Sequence, residues 1–151
     1  MRNRFPAVVI CVLLALPAVA GLEEDRAQIR QAALDYIQGW YEGDADRVER
    51  AVHPDLAKRI LQRDGEGRSR LDHMSAMGLV QGARGGWGSR TPPEQRVHEI
   101  EILDVYENIA SVKITAKEWI DYLHLGRADG HWVIINVLWE MKPEVLRSTK
   151  P

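Results

Sequence analysis

The stretch Ile109–Met141, IASVKITAKEWIDYLHLGRADGHWVIINVLWEM, has apolar residues that recur with a period of two. That period, together with many Val, Ile, Trp and Tyr residues, predicts β-strands with one covered face. Two short polar segments interrupt it, Lys117-Glu118 and Ala128-Asp129-Gly130, and the second is typical of a three-residue hairpin with a left-handed glycine. The period begins upstream of the stretch, so the sequence predicts an antiparallel meander of four strands: Val97–Val105, Ile109–Ala116, Ile120–Gly126 and His131–Met141.

The residues before the meander follow helical spacing instead. Apolar residues recur every three or four positions, Gly43 followed by Asp44 is typical of a helix end and a new cap, and Pro54 stops the second helix. Three helices followed by a meander predict an α+β fold with the helices on one face of the sheet. The predicted elements are helices at Glu23–Glu42, Asp44–Val52 and Leu71–Gln81, and a polar surface loop at Gln62–Arg70.

The first twenty residues have the composition of a secretory signal peptide. Arg2 and Arg4 give a basic start, residues 7–16 are apolar, and Ala18-Val19-Ala20 is a small-x-small cleavage site. A membrane anchor is the alternative, but the apolar run is short for a span of about 20 residues and no basic segment follows it. We expect cleavage after Ala20 and export to the periplasm or the medium.

The expected mature chain has 131 residues, the size of one domain, and we assign the domain to residues 21–143 and a C-terminal tail to residues 144–151. The one cysteine, Cys11, lies in the leader, and Ile10 before it argues against a lipoprotein. The mature chain therefore has no disulfide, thiolate nucleophile or cysteine-ligated metal. Its 18 basic and 22 acidic residues give a net charge of −4, so the chain lacks the excess of positive charge that is typical of nucleic-acid-binding domains.

The hairpin register places two carboxylates on the covered face of the sheet. Tight turns align Glu101, Ile114, Asp121 and Val137 in one row across the strands. A buried carboxylate is costly without a partner because desolvation disfavours its ionised form, so Asp121→Asn is expected to stabilise the fold. The alternatives are that Asp121 binds backbone at a helix end and that Glu101 lies in water at the sheet edge. The rest of the predicted covered face is Leu103, Val105, Val112, Leu123, Leu125, Val133 and Ile135.

Aromatic residues lie around Asp121 in this register. Tyr36 and Trp40 are four positions apart on the inner face of the first helix, and Trp119 and Trp139 lie near Asp121 on the sheet. Aromatic side chains at this spacing usually pack in the core, but they could also form the wall of a pocket opposite Asp121. The two interpretations are compatible, because a pocket is a part of the core that is incompletely filled. The candidate ligand-binding residues are Tyr36, Trp40, Glu101, Trp119, Asp121 and Trp139.

No motif in the sequence requires a metal or a cofactor, and we expect neither. The histidines are scattered without HExxH, and Asp121 and His124 are three apart on a strand, hence on opposite faces. Gly82–Pro93 lacks the preceding strand and the Gly-Lys-Ser/Thr of a phosphate loop. It is interpreted either as a plain loop or as a lid that carries Trp87.

Several segments occur in a specific order: GWYEGDAD, HPDL, LDVYENIASVKI, WIDYLHL and DGHWVIINVLWE. From about Glu24 to Lys142 the chain resembles the putative lumazine-binding family of the nuclear transport factor 2-like superfamily, which also contains ketosteroid isomerase-like and polyketide cyclase-like folds. The resemblance implies a cone-shaped α+β fold, a curved sheet wrapped around a pocket, and frequent dimers. Enzymes of the superfamily transfer protons with a buried acid and a hydrogen-bond donor, roles that the resemblance implies for Asp121 and Tyr36. The ketosteroid isomerase pattern of one Tyr and two Asp residues is not matched.

Two functions from different classes follow as hypotheses. One is an exported small-molecule-binding or scaffolding domain with an apolar pocket between the first helix and the sheet. The other is a cofactor-free isomerase, cyclase or dehydratase that uses Asp121 as a general acid or base. Catalysis needs a second polar group aimed at the reacting atom, and only Tyr36 and Glu101 are inward candidates, so binding is preferred.

The outer face of the sheet is expected to form a homodimer interface. Apolar side chains such as Ile100, Ile102 and Ile134 are predicted there without helix cover, and contiguous apolar surface usually marks an interface. A subunit that pairs only with a different protein is a third hypothesis for the same face. The predicted interface is centred on Tyr122, His124, Ile134 and Asn136.

Overall fold

The structure is a computed structural model that describes residues 17–148, with side chains described for residues 21–147. The predicted signal peptide therefore lies outside the described residues, except that 17–20 form the first turn of a helix, and residues 149–151 also lie outside. Two single-turn 3-10 helices, Gly88–Arg90 and Pro93–Gln95, precede the meander. The elements are α1 Pro17–Glu42, α2 Ala45–Ala51, β1 Val52–Arg63, β2 Ser69–Ser75, α3 Ala76–Arg84, β3 His98–Tyr106, β4 Ile109–Ala116, β5 Trp119–Ala128, β6 His131–Met141 and α4 Pro143–Ser148.

Helix α1 packs one apolar stripe on the sheet, as its spacing predicts. Ile29, Ala33, Tyr36 and Ile37 are buried, and Trp40 is partly buried against the same core. The helix ends at Gly43, whose φ of +74° lies in the left-handed region that favours glycine. Asp44 then caps α2 by accepting a hydrogen bond from the Arg47 backbone N–H at 3.0 Å. This predicted helix junction is confirmed.

The strands form one mixed sheet of six in the order β2-β1-β6-β5-β4-β3. The last four strands of the chain are the predicted antiparallel meander, and β1 adds to it in parallel with β6 while β2 pairs antiparallel with β1. The helices cover one face of this sheet. The predicted α+β class is therefore confirmed, with one parallel strand pair in place of a fully antiparallel sheet.

Residues 53–75 differ from the sequence prediction. The segment after α2 is a strand from Val52, and Pro54 lies where the β1–β6 register is interrupted, between Val52 and Ala57. The predicted third helix is a strand as far as Ser75 and becomes helical only at Ala76, because the Ser75 hydroxyl caps α3 through the Gly78 N–H at 3.2 Å. The polar loop shortens to the hairpin turn between Arg63 and Ser69.

A β-bulge corrects the predicted face of β3. The register shifts between Ile102 and Asp104, so Ile102 lies opposite Val112 and Leu103 is the extra residue. Ile100 and Ile102 therefore pack against the core instead of lying on the outer face, and Leu103 is exposed. Glu101 is exposed and lies opposite Lys113, so its predicted position on the pocket face is wrong.

The β5–β6 hairpin has a two-residue turn, which also differs from the prediction. Asp129 and Gly130 both have positive φ, 50° and 82°, the pattern of a type I′ turn, and Ala128 pairs with His131. The shorter turn directs Trp132 and Ile134 inward, where Val133 and Ile135 were predicted. The β5–β6 register then shifts between His124 and Leu125, which leaves Ile135 as an extra residue on β6. Beyond this shift the side chains of β6 again face as predicted, and Val137 is buried.

The core lies between the helices and the covered sheet face. Val112, Ile114, Leu123 and Leu125 belong to it, as the sequence predicts, and so does Ile134, which was predicted on the outer face. Within residues 17–148, no helix combines the length and the apolar character needed to cross a membrane.

Candidate functional site

A cavity of about 330 Å³ lies between α1, α3 and the end of the sheet that carries Trp119 and Trp139. Its wall is mostly aromatic and aliphatic, and its charged members are Lys58 and Glu118. A concave apolar pocket with a few polar groups is the usual form of a small-molecule site. The lining residues are Tyr36, Ile37, Trp40, Lys58, Met74, Leu79, Trp87, Gly88, Thr91, Glu118, Trp119, Trp139 and Met141.

The polar end of the cavity is a buried ion pair. Lys58 Nζ lies 2.9 Å from Asp121 Oδ1, and Asp121 has no exposed surface. The two strands that carry them flank β6, because Lys58 is in register with Val137 and Asp121 is opposite Trp139. The lysine side chain crosses β6 to reach the carboxylate. Such a pair offsets the desolvation of both charges only when the remaining polar atoms are also satisfied.

Two aromatic residues are hydrogen-bonded to this pair, one as a donor and one as an acceptor. The Trp119 indole N–H donates to Asp121 Oδ2 at 2.8 Å, so both carboxylate oxygens have donors. The Lys58 ammonium also donates to the Tyr36 hydroxyl at 2.6 Å. We refer to Tyr36, Lys58, Trp119 and Asp121 as the polar cluster. It is a connected network, with α1, β1 and β5 each contributing at least one member.

The tyrosine of the polar cluster remains protonated. Burial, and then the charge of Asp121 and a hydrogen bond to it, hold the pKa of Tyr36 well above its usual value of about 10. Its hydroxyl is therefore a hydrogen-bonding group at physiological pH and not a base.

Aromatic rings enclose the ammonium on the cavity side. Lys58 Nζ is 4.8 Å from the centroid of the Trp139 ring and 5.4 Å from that of Tyr36. Both distances are within the range of cation–π attraction. The rings therefore hold the charge in place while limiting its contact with water.

The wall opposite the sheet depends on glycine. A Cβ on Gly88 would lie 2.5 Å from Trp40 Cδ1 and 2.6 Å from Trp40 Nε1, and one on Gly82 would lie 3.0 Å from Trp87 and 3.1 Å from Trp40. Both glycines thus make room for the Trp40 ring. Trp87 is 53% exposed while it lines the cavity, as expected for a residue at the mouth.

The structure brings together four of the six predicted ligand-binding residues on the cavity wall, namely Tyr36, Trp40, Trp119 and Trp139. Asp121 lies behind the wall, where it is covered by its partners. Glu101 is on the other face, near the sheet edge, which is the alternative that its sequence context had left open. Asp121 has a cationic partner, which removes the premise of the expectation that Asp121→Asn stabilises the fold.

Lys58 is the functional candidate that sequence reasoning missed. A signal was present, because Leu56, Lys58 and Ile60 alternate and so share one face if the segment is a strand. The predicted second helix ends at Val52 and the predicted loop begins at Gln62, so no element is predicted for residues 56–60 and the lysine has no predicted orientation. In the structure all three side chains are buried.

Tyr41 lies beside the polar cluster with its hydroxyl unpartnered. Its ring packs at 5.7 Å from Trp119, and among the described side chains its hydroxyl is the buried polar atom for which no hydrogen bond is found. Burial, followed by the charges of Glu118 and Asp121, raises the pKa of Tyr41 to about 12.

Acidic and histidine side chains do not converge in a metal-binding group of three or more anywhere in the described part of the chain. The candidate ligands that the sequence offers, such as Asp121 and His124, lie on opposite faces of β5, with Asp121 buried and His124 exposed. The hydroxyl-bearing and charged side chains on the cavity wall are those of Tyr36, Lys58, Thr91 and Glu118.

The fold is shared with several solved structures. A protein from Silicibacter pomeroyi, described as NTF-2-like and of unknown function, is 16% identical with a TM-score of 0.60, covering 80% of this chain and 98% of that one. An NTF2-like protein with a cystatin-like fold from Novosphingobium aromaticivorans is 12% identical with a TM-score of 0.62, covering 94% and 99%. A ketosteroid isomerase-like protein from Erwinia carotovora atroseptica is 17% identical with a TM-score of 0.50, covering 78% and 96%. At these identities the likeness establishes the fold alone.

The sequence itself identifies a narrower group. No curated protein matches the chain. The sequence model of the family described as putative lumazine-binding matches residues 24–140, which include α2, the whole sheet except Met141, and every member of the polar cluster. Together with the nuclear transport factor 2-like fold, this match confirms the resemblance seen in the sequence: the chain belongs to the putative lumazine-binding family.

Proposed function

We propose that the protein binds a small organic molecule in the cavity between α1, α3 and the sheet. The observation that carries the proposal is a 330 Å³ cavity whose wall is largely aromatic and whose polar end is the Lys58–Asp121 pair. An apolar site with one or two fixed polar groups binds a ligand through buried area and orients it through the polar groups. The family description, which names a small heterocycle as ligand, supports the same class of function.

Binding is favoured over catalysis by the position of the acid. Asp121 is fully buried and both its oxygens accept hydrogen bonds from Lys58 and Trp119, so it does not touch a molecule in the cavity. A general acid or base must come within hydrogen-bonding distance of the proton that it transfers. The ionisable side chains that reach the cavity are Lys58, Tyr36 and Glu118, of which Tyr36 is held protonated and Lys58 is paired with Asp121.

Native mass spectrometry tests the proposal. Protein purified without denaturation from its own host is expected to carry a small molecule that is released on unfolding. In Trp87→Ala the retained fraction is expected to fall, because this ring lines the cavity yet is half exposed and contributes little to the core. Tyr106→Ala is the matched control, since that ring is 70% exposed on another part of the sheet. If every preparation contains only ligand-free protein, including one that was incubated with an extract of the host, the result would contradict binding.

We also propose that the protein acts outside the cytoplasm as a homodimer. The leader composition supports export, as argued from residues 1–20. The uncovered sheet face supports dimerisation, because Tyr122 and Leu138 are neighbours on adjacent strands and are 48% and 56% exposed. Arg59 and Lys113 lie beside them in the same row and give the apolar patch a polar rim. Ile134 takes no part in this interface because it is buried in the core.

A further inference from the structure

The hydrogen-bonding capacity of Lys58 defines what the cavity can recognise. An ammonium has three N–H donors. One is directed to Asp121 Oδ1 at 2.9 Å and one to the Tyr36 hydroxyl at 2.6 Å. Within the described residues no third acceptor for Lys58 is found, and the Nζ faces the Trp139 ring at the cavity wall. A ligand in the cavity therefore meets one remaining charged donor.

The charges around that donor disfavour an anionic ligand. Lys58 is already neutralised by Asp121, and the other charged residue of the wall, Glu118, is acidic. An added anion would therefore enter a site whose summed charge is negative or zero, and would lose its hydration without a free countercharge.

A cationic ligand is disfavoured for a different reason. The rings of Tyr36 and Trp139 already have the Lys58 ammonium at 5.4 Å and 4.8 Å from their centroids. A second cation on these two ring faces would be repelled by the ammonium at short range, and the one carboxylate of the wall that could attract it, Glu118, is partly exposed and screened by solvent. The aromatic wall thus does not act as a cage for ammonium groups, although its composition alone would suit one.

Size and shape narrow the ligand further. A volume of about 330 Å³ is at the lower end of the range for small-molecule sites, which suits a compound of one or two rings. The four tryptophan rings on the wall, Trp40, Trp87, Trp119 and Trp139, favour a planar ring system over a bulky aliphatic one.

We infer that the cavity selects a neutral, planar aromatic compound that carries a carbonyl oxygen, and that the remaining Lys58 N–H donates to this oxygen. The inference rests on the proposed function and assigns Lys58 as the specificity-determining residue. A carbonyl accepts the bond without adding charge, and a site built around a donor rejects an analogue that lacks the acceptor, because the donor is then left unpaired.

Four naphthalene probes test this inference: 2-acetylnaphthalene is neutral with a carbonyl, 2-ethylnaphthalene lacks the acceptor, 2-naphthoate is anionic and (2-naphthyl)methylammonium is cationic. Dissociation constants come from calorimetry, with quenching of the cavity tryptophans as a second readout. We expect the ketone to bind about tenfold more tightly than 2-ethylnaphthalene, the effect of one hydrogen bond to a charged donor, and more tightly than both ions. Equal affinities, or a preference for either ion, would overturn the inference.

Variants assign the preference to Lys58. The double variant Lys58→Met/Asp121→Asn removes both charges together and is expected to bind the ketone and 2-ethylnaphthalene equally. Arg63→Met is the control, since it removes an exposed cation at the end of the same strand, leaves the polar cluster intact and should retain the preference for the ketone. A double variant that still prefers the ketone would exclude Lys58 as the donor. If the double variant does not fold, the affinities of the four probes for the unaltered protein still decide whether the cavity prefers a neutral compound with a carbonyl oxygen.

The outcomes separate the two proposals. Binding of all four probes without discrimination would overturn the inference and leave the proposed function standing. Binding of none would overturn the aromatic ligand class, while the retained molecule sought by mass spectrometry remains the separate test of whether the cavity binds anything.

Discussion

Lys58 Nζ and Asp121 Oδ1 are 2.9 Å apart, although 63 positions of sequence separate the two residues. They come from β1 and β5, which lie on either side of β6. Two strand spacings of about 4.8 Å each separate their backbones, a span that a lysine side chain can cross. The contact therefore depends on β1 joining the sheet beside β6, and it links the folding of the sheet to the formation of the cavity.

Asp121→Asn is expected to destabilise the protein by about 3–5 kcal/mol, because it leaves the Lys58 ammonium buried without a countercharge. Urea unfolding followed by circular dichroism measures the change. Lys58→Met/Asp121→Asn should recover most of the loss, giving a strong coupling energy in the double-mutant cycle. The matched control is Asp72→Asn, which removes the carboxylate of the exposed Arg70–Asp72 pair and should cost less than about 1 kcal/mol. An Asp121→Asn protein as stable as the parent would contradict the buried pair.

Stability is expected to fall between about pH 10 and pH 12 through Tyr41. Its folded pKa of about 12 exceeds the unfolded value of about 10, so the unfolded chain loses the proton first. The native state then binds more protons, and the free energy of unfolding decreases as the pH rises through this window, with its full value retained below pH 10. Tyr36, whose pKa is also raised, adds a decrease of the same sign.

Comparison of Tyr41→Phe with the parent isolates this effect, since the difference in unfolding free energy should grow with pH between 10 and 12. At neutral pH the variant should be about 1 kcal/mol more stable, because a buried hydroxyl without a partner is removed. Tyr106→Phe, at a 70% exposed ring, should show neither change. Parallel pH profiles for Tyr41→Phe and the parent would argue against the raised pKa.

Gly88→Ala should destabilise the fold by roughly 1–3 kcal/mol, the usual effect of overpacking. The new Cβ would overlap the Trp40 backbone oxygen as well as its indole ring, and a backbone atom cannot move aside as a side chain can. Thermal unfolding and near-UV circular dichroism would report the loss of stability and the displaced indole. Gly65→Ala is the control, because nothing lies within 4 Å of its Cβ position.

Tyr122→Glu is expected to convert a dimer into a monomer in sedimentation experiments at micromolar concentration. The residue lies opposite Lys113 and Leu138 on the uncovered sheet face, and the substitution removes an exposed ring and places a carboxylate at the interface, where its desolvation is costly even beside Lys113. Tyr106→Glu, near the β3–β4 turn, is the control and should leave the oligomeric state unchanged. A parent protein that sediments as a monomer would rule out the interface.

Intact mass of the exported protein is expected to correspond to a chain that starts at Gly21. The basic start, apolar run and small-residue site at positions 2–20 predict cleavage at that bond. Ala20→Arg should block cleavage, because the processing site requires a small residue, whereas Ala27→Arg, within the mature chain, should not. A full-length species retained in the membrane fraction would contradict signal peptide cleavage.

Local periodicity was sufficient for α1, for the junction at Gly43 and Asp44, and for the four strands of the meander. In those segments the apolar residues match one period only, and the helix caps and the first two hairpin turns agree with it, whereas the β5–β6 turn has two residues instead of the predicted three. The β4–β5 register, including Ile114 opposite Asp121, was also predictable, because the short Lys117-Glu118 connection leaves little freedom to the pairing. Burial of Asp121 follows from that register.

Tertiary structure was needed wherever one segment fits two periods or a strand contains an extra residue. Leu71, Met74 and Met77 match a helix, yet the segment as far as Ser75 pairs with β1, because a sheet edge was available that the sequence does not display. The bulge at Leu103 turned Glu101 to solvent, and local sequence does not position bulges. The role of Lys58 also could not be predicted from the local sequence. Its role depends on a partner 63 residues away, and only the path of β1 beside β6 brings the two charges together.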